Sequence, residues 1–189
     1  MSKGPLVIVS GPSGVGKSTL IARLLADADL PLRLSVSATT RPPRDREQDG
    51  VHYHFWTRER FREGIAAGEF LEWAEVFGNY YGTLWCEVEP YRERGVGVVL
   101  DIDVQGAEQV RQKCPDAVAI FLSASSLDAY ERRLRGRGTE DEAAIRRRLA
   151  AARGELEQAG RYDHQVVNDD LDAAVAQVRA IVRRRLEGG

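Results

Sequence analysis

The chain has 189 residues, 43% of them hydrophobic and 30% charged, with a formal net charge of -2. That length supports one sizeable core, or one core with small insertions. The near-balanced charge excludes bulk attraction to nucleic acid or an anionic membrane, so any basic site must arise from local clustering.

The first predicted element is a strand, "LVIVS" at 6–10. A continuous apolar run of this kind suits a strand buried on both faces of a parallel sheet. It is too short for a signal peptide or a membrane span, and no other stretch reaches membrane length. "GPSGVGKS" follows, and Gly11, Gly16, Lys17 and Ser18 meet the pattern G-x-x-x-x-G-K-S. The glycines let backbone N–H groups turn inward onto phosphate oxygens. The helix that starts near Lys17 adds its positive end. Lys17 can reach the outer phosphates and Ser18 can ligate Mg²⁺. With Pro12, Ser13, Gly14, Val15 and Thr19, these residues form the expected ATP-binding loop. In the helix, Leu20, Ile21, Leu24 and Leu25 fall on one stripe.

Residues about 37–90 interrupt the pattern with many aromatics, arginines and glycines, and read as an insertion. "SVSATTRPPR" carries Arg41 and Arg44 with Pro42 and Pro43 between them, which forbids a regular helix interior. It reads as a rigid loop presenting two guanidiniums to phosphate oxygens, or as an exposed basic loop. Tyr53, Tyr80 and Tyr81 offer hydroxyls and flat faces, although most such aromatics serve a core. Glu72, between Leu71 and Trp73, is either a surface residue or a buried acceptor with a specific partner.

The next strand, "VGVVLDID" at 96–103, ends at Asp101, placed to hold a water of a Mg²⁺ shell or to cap a turn. "AVAIFLS" at 117–123 is a third strand and "HQVVND" at 164–169 a fourth. Between them, residues 126–160 are dominated by charged helix formers. Residues 131–148 hold seven arginines against four acids, and Ile145, Leu149, Ala152 and Leu156 make an apolar stripe. A last helix shows Leu171, Val175, Val178, Ile181, Val182 and Leu186 at helical spacing. Strands alternating with helices predict an α/β fold around a parallel sheet. His52, His54 and His164 have no metal spacing. Cys86 and Cys114 read as ordinary thiols in a reducing compartment, and a cytoplasmic location is expected.

The blocks "SVSATTRPPR", "FLEWAEVFGNYYGT", "LDIDVQG", "RLRGRGTE" and "VVNDD", together with the phosphate loop, resemble the guanylate kinase family in order and over nearly the whole chain. The resemblance implies a P-loop nucleoside monophosphate kinase fold. Its core would comprise 1–36, 91–125 and 161–189, with a GMP-binding region at 37–90 and a helical lid at 126–160. It implies Mg²⁺-dependent transfer of the γ-phosphate of ATP to GMP, and to dGMP, in purine nucleotide metabolism. Ser37, Glu72 and Thr83 would read the base, with Asp103 as a second carboxylate. An ionised Glu72 only accepts hydrogen bonds, which suits the N–H edge of guanine. Arg41, Arg44, Tyr53 and Tyr81 match residues that bind the GMP phosphate. Arg133 and Arg137 match arginines near the ATP base and phosphates, and Arg148 one that reaches the transferring group. Lys17, Arg41, Arg137 and Arg148 form the implied catalytic set, and Ser18 with Asp101 (through water) the implied metal set.

Thr83 stands where many relatives have serine. Asn168 positions a loop or contacts ATP. The implied partners are ATP and GMP or dGMP alone, without nucleic acid or membrane, and the oligomeric state stays open. Three other readings compete. They are a scaffold domain of guanylate-kinase type that no longer transfers phosphate, a kinase for another nucleoside monophosphate, and a nucleic-acid-dependent ATPase. The intact phosphate loop weighs against the first and the Glu72 set against adenine. Short length and balanced charge weigh against the third.

Overall fold

A computed structural model describes residues 3–76, 78–136 and 142–188. In chain order its main elements are β1 (Leu6–Ser10), α1 (Lys17–Leu25), β2 (Leu32–Leu34), β3 (Ser37–Thr39), β4 (His54–Phe55), α2 (Arg58–Ala66), β5 (Phe70–Val76) and β6 (Asn79–Leu84). There follow α3 (Glu89–Arg92), β7 (Gly97–Asp101), α4 (Val104–Lys113), β8 (Val118–Ser123), α5 (Leu127–Gly136), α6 (Glu142–Leu156), β9 (His164–Val167) and α7 (Leu171–Glu187).

All five residues of β1 are buried, because both faces of its sheet are covered. Val7 and Val9 point into one apolar layer with Leu20 and Leu24 of α1, Tyr130 of α5, and Val178 and Val182 of α7. Leu6 and Ile8 point into the opposite layer with Val98 and Leu100 of β7, Val110 of α4 and Leu71 of β5. The sheet is parallel throughout, in the order β2-β7-β1-β8-β9. The four strands expected from the apolar runs are all in it. The fifth, β2, is a short edge strand too polar for such a run to announce.

The α7 stripe is buried as its spacing predicts, and the Asp170 side chain caps the helix by accepting from the Ala173 N–H at 2.9 Å. On α6, Ile145 and Ala152 are buried, and Leu149 and Leu156 pack against the layer of Val7 and Val9.

The interrupting segment builds a second sheet, in the order β4-β3-β6-β5. Its own small core is Ala38, Phe61, Phe70 and Leu84, with Phe61 and Phe70 stacked at 4.3 Å. On β5 three successive residues, Phe70, Leu71 and Glu72, are buried, which a regular half-wet strand cannot provide. The pairing register slips between Phe70 and Glu72, and this bulge resolves the conflict. Phe70 fills the small core, Leu71 joins the main sheet's second layer, and Glu72 is paired across to Thr83. Helix α4 is fastened to the back of β5. The Gln109 amide accepts from the Trp73 N–H at 3.2 Å and donates to the Trp73 carbonyl at 2.7 Å, and Lys113 Nζ donates to the Leu71 carbonyl at 2.6 Å. Among the described residues, no helix is long and apolar enough to cross a membrane.

Candidate active site

The loop between β1 and α1 lies at the carboxyl end of the parallel strands, where ligands of open α/β sheets bind. Gly16, which precedes α1, has a φ of 97°, and a Cβ there would stand 2.6 Å from Asn168 Nδ2. Only glycine fits that position. Asn168 is buried and donates from Nδ2 to the Val15 carbonyl at 2.8 Å. Arg133 Nη1 donates to the same oxygen at 3.1 Å. Asn168 therefore holds the phosphate loop, the structural alternative its motif offered. Lys17 Nζ donates to the Gly11 carbonyl at 2.7 Å. Ser18 Oγ donates to Asp101 Oδ2 at 3.2 Å, so the two implied metal residues meet at the strand end. Burial pushes the Asp101 carboxyl above its ordinary range, against the pull of Lys17 and the Ser18 hydrogen bond.

The second sheet brings Ser37, Thr83 and Glu72 into one row, since Ser37 pairs with Thr83 on one side and Glu72 with Thr83 on the other. Thr83 Oγ1 donates to Glu72 Oε1 at 2.6 Å. Gly106 lets the other oxygen come close, because a Cβ there would stand 2.5 Å from Glu72 Oε2. Glu72 is only 3% exposed. Burial pushes its carboxyl up to about 7, with Asp103 adding to the rise and Thr83 opposing it. The ionised, acceptor-only form expected of Glu72 therefore coexists with the protonated form near neutral pH when only protein groups surround it. Asp103 caps α4 through Oδ1, which accepts from the Gly106 N–H at 2.8 Å.

Arg41 is held by a residue that sequence reasoning missed. Glu47 Oε2 and Oε1 accept from Arg41 Nη1 and Nη2, both at 2.9 Å, and Oε2 also accepts from the Arg44 N–H at 2.7 Å. This fork pushes the Glu47 carboxyl down to about 2 and raises Arg41 further. Its position six residues beyond Arg41, in a loop of basic and turn residues, was the available signal. The Arg41 guanidinium lies 5.4 Å from the centre of the Tyr53 ring, and Tyr53 meets Tyr81 edge-on at 6.2 Å. Arg44 is exposed. Tyr80 packs on Phe61 at 5.3 Å, as a core aromatic.

One cavity of about 960 Å³ unites these parts. Gly11, Ser13 and Lys17 line it from the phosphate loop, and Asp101 and Asp103 from the end of β7 and the start of α4. Ser37, Tyr53, Glu72 and Tyr81 line it from the second sheet, and Arg148 from α6. Arg148 Nη1 donates to Ser13 Oγ at 3.0 Å, so α6 roofs the loop. Thr83 stands behind Glu72 with no exposure, and Arg41 and Arg44 are outside the lining. Pro12 and Val15 are buried, Gly14 is half-buried, and Thr19 is exposed on α1. Arg133 lines a separate cavity of about 400 Å³ with Ser125, Arg132 and Asp169. Arg137 lies outside the described residues.

Among the described residues, no three His, Cys, Asp or Glu side chains cluster as metal ligands. Ser18 and Asp101 still fit Mg²⁺, a hard ion that keeps several waters and takes few protein oxygens. His54 Nε2 lies 3.0 Å from Glu87 Oε1, a structural contact.

The guanylate kinase family model matches residues 3–185. A guanylate kinase of Rubrobacter xylanophilus is 52% identical over 189 residues, covering 100% of this chain and 98% of that one. One of Symbiobacterium thermophilum is 51% identical over 180 residues, covering 95% and 85%. The crystal structure of guanylate kinase from Anaplasma phagocytophilum superposes with a TM-score of 0.81 at 31% identity, covering 98% of this chain and 87% of that chain. The phosphate loop, the carboxylate row and the roofing helix thus sit in a chain that matches its relatives nearly end to end, and the chain belongs to the guanylate kinase family.

Proposed function

We propose that the 960 Å³ cavity is where the terminal phosphate of ATP passes to GMP. The chain is an ATP:GMP phosphotransferase, forming ADP and GDP. The observation that carries the site assignment is the sharing of one cavity by the phosphate loop and the buried Glu72.

The β- and γ-phosphates of ATP lie against the N–H groups of residues 11–19 and the Lys17 ammonium. Arg133, beside the second cavity, takes the side of the ATP base. Guanine lies against Glu72, Ser37 and Asp103, with Thr83 acting from behind through its hydrogen bond to Glu72. Its N1 and N2 hydrogens supply the donors that Glu72 lacks, and this draws the carboxyl back to its ionised form. A wrong base leaves those buried acceptors unpaired, which supports strong discrimination. The acceptor phosphate lies toward Arg41, Arg44, Tyr53 and Tyr81, with Glu47 keeping the Arg41 fork in one orientation.

A phosphate oxygen of GMP attacks the γ-phosphorus, and the bond to the β-γ bridging oxygen breaks to release ADP. No general base is required, because a phosphate monoester is mostly dianionic near neutral pH, with a second pKa of about 6. The protein contributes alignment and charge neutralisation. Lys17 and Arg148 face the transferring group, and α6 excludes water. Arg137 joins them by resemblance alone. Ser18 and, through water, Asp101 would hold Mg²⁺, which would supply further charge neutralisation.

The test is ADP formation from Mg-ATP with GMP, dGMP, AMP, CMP, UMP or dTMP, beside a control without acceptor. Turnover with GMP, slower turnover with dGMP and little with the rest is expected, and Lys17→Ala should lose nearly all of it while keeping its melting curve. Equal ADP release without acceptor would make the protein an ATPase.

A further inference from the structure

Glu155 is absent from every role assigned above, yet it lines the same cavity. It projects from α6 seven residues after Arg148, hence on the same helix face and about 10 Å further along the axis. Arg148 marks the phosphate loop through Ser13. Burial pushes the Glu155 carboxyl above its ordinary range, with Lys17 opposing the rise and Asp103 adding to it. Glu155 shares its cavity with Ser37, Glu72, Tyr81 and Asp103 and is not among the residues that line the Arg133 cavity, which puts it on the acceptor side. The side chain is half-buried, and among the described residues no hydrogen bond or ion pair engages it.

A carboxylate facing a site for phosphorylated substrates repels them unless the bound substrate offers it a donor. GMP has a short list of donors. The guanine N–H groups are directed to Glu72 and Asp103 on the opposite wall. Lys17 is directed to the phosphates. The donors that remain are the ribose 2′ and 3′ hydroxyls, which lie between base and phosphate. A carboxylate receiving a ribose diol is a familiar pairing, used in dinucleotide sites.

We propose that Glu155 accepts hydrogen bonds from the ribose hydroxyls of the bound GMP and so makes the lid a reader of the acceptor's sugar. This rests on the assignment of GMP to the cavity. Glu155 is then a specificity residue, and closure of α6 over an acceptor without those hydroxyls leaves its carboxylate unpaired.

The test compares kcat/KM for GMP and for 2′,3′-dideoxy-GMP in the wild type, Glu155→Gln and Glu155→Ala, with Mg-ATP saturating. We expect Glu155→Ala to lower the value for GMP about tenfold, in the range of one charge-assisted hydrogen bond. The value for the dideoxy analogue should change less than threefold. Glu155→Gln, which keeps one acceptor oxygen, should fall between. An equal loss with both acceptors would overturn the proposal and assign Glu155 to holding Lys17 or the lid itself. No loss with either would also overturn it. Failure of the wild type to use GMP at all would instead remove the assignment on which the inference rests.

Discussion

At the scale of single residues, the chemistry concentrates on Glu72. Its carboxyl is raised in the folded protein, so the protonated form favours folding. The stability linked to it is fully present below about 4.5 and is lost as pH rises through about 7. The loss amounts to about 3 kcal/mol. Urea melts at pH 5 and pH 7.5 should show this slope in the wild type and a flatter one in Glu72→Gln. The same substitution should lower kcat/KM for GMP about ten- to hundredfold, because a neutral amide also presents N–H groups to guanine N–H groups. An unchanged slope would place Glu72 in water, and unchanged GMP kinetics would remove it from the base. The sequence showed Glu72 among apolar neighbours but not which way it faced. That depends on the bulge between Phe70 and Glu72, and a one-residue slip leaves no mark on composition. Glu47 escaped notice for a related reason, since a charged loop residue reads as solvated until its partner is seen.

At the scale of elements, legibility followed burial. β1, β7 and β8 were readable because strands covered on both faces are apolar without interruption, whereas β9, an edge strand with only Val166 buried, was readable from its pair of valines. The stripes on α1, α6 and α7 were readable for the matching reason. The second sheet was not resolved into strands, because its core is a handful of residues on strands of two to seven residues. The phosphate loop was legible as a motif, but its fastening was not. Asn168 and Arg133, far along the chain, share the Val15 carbonyl. Asn168→Ala should cost about 1–2 kcal/mol, with Arg133 retaining part of the contact. It should also raise KM for ATP while leaving KM for GMP nearly unchanged. A parallel rise in both constants would mean that Asn168 supports the whole fold and not the loop.

At the scale of the molecule, the site belongs to no single layer. The main sheet supplies the phosphate loop, the second sheet the carboxylate row, and α6 the roof. The main connection between the sheets described above is α4, pinned to β5 by Gln109 and Lys113. Filling one half of the cavity should therefore stiffen the walls of the other. GMP and a non-hydrolysable ATP analogue together should raise Tm by more than the sum of their separate shifts. A merely additive shift would mean that the walls respond independently. The family blocks made the presence of these parts readable in sequence. Their convergence depends on strand order, which no local pattern encodes.

The position of β1 also bears on how the protein is made. It lies in the middle of the parallel sheet, with Leu6 beside Val98 and Val7 beside Val118. A growing chain therefore carries this apolar strand without a neighbour for some ninety residues of synthesis, roughly 5–20 s at ordinary rates of translation. The loop that follows cannot be fastened until Asn168 has emerged. The nucleotide binding proposed above therefore waits until synthesis has passed residue 168.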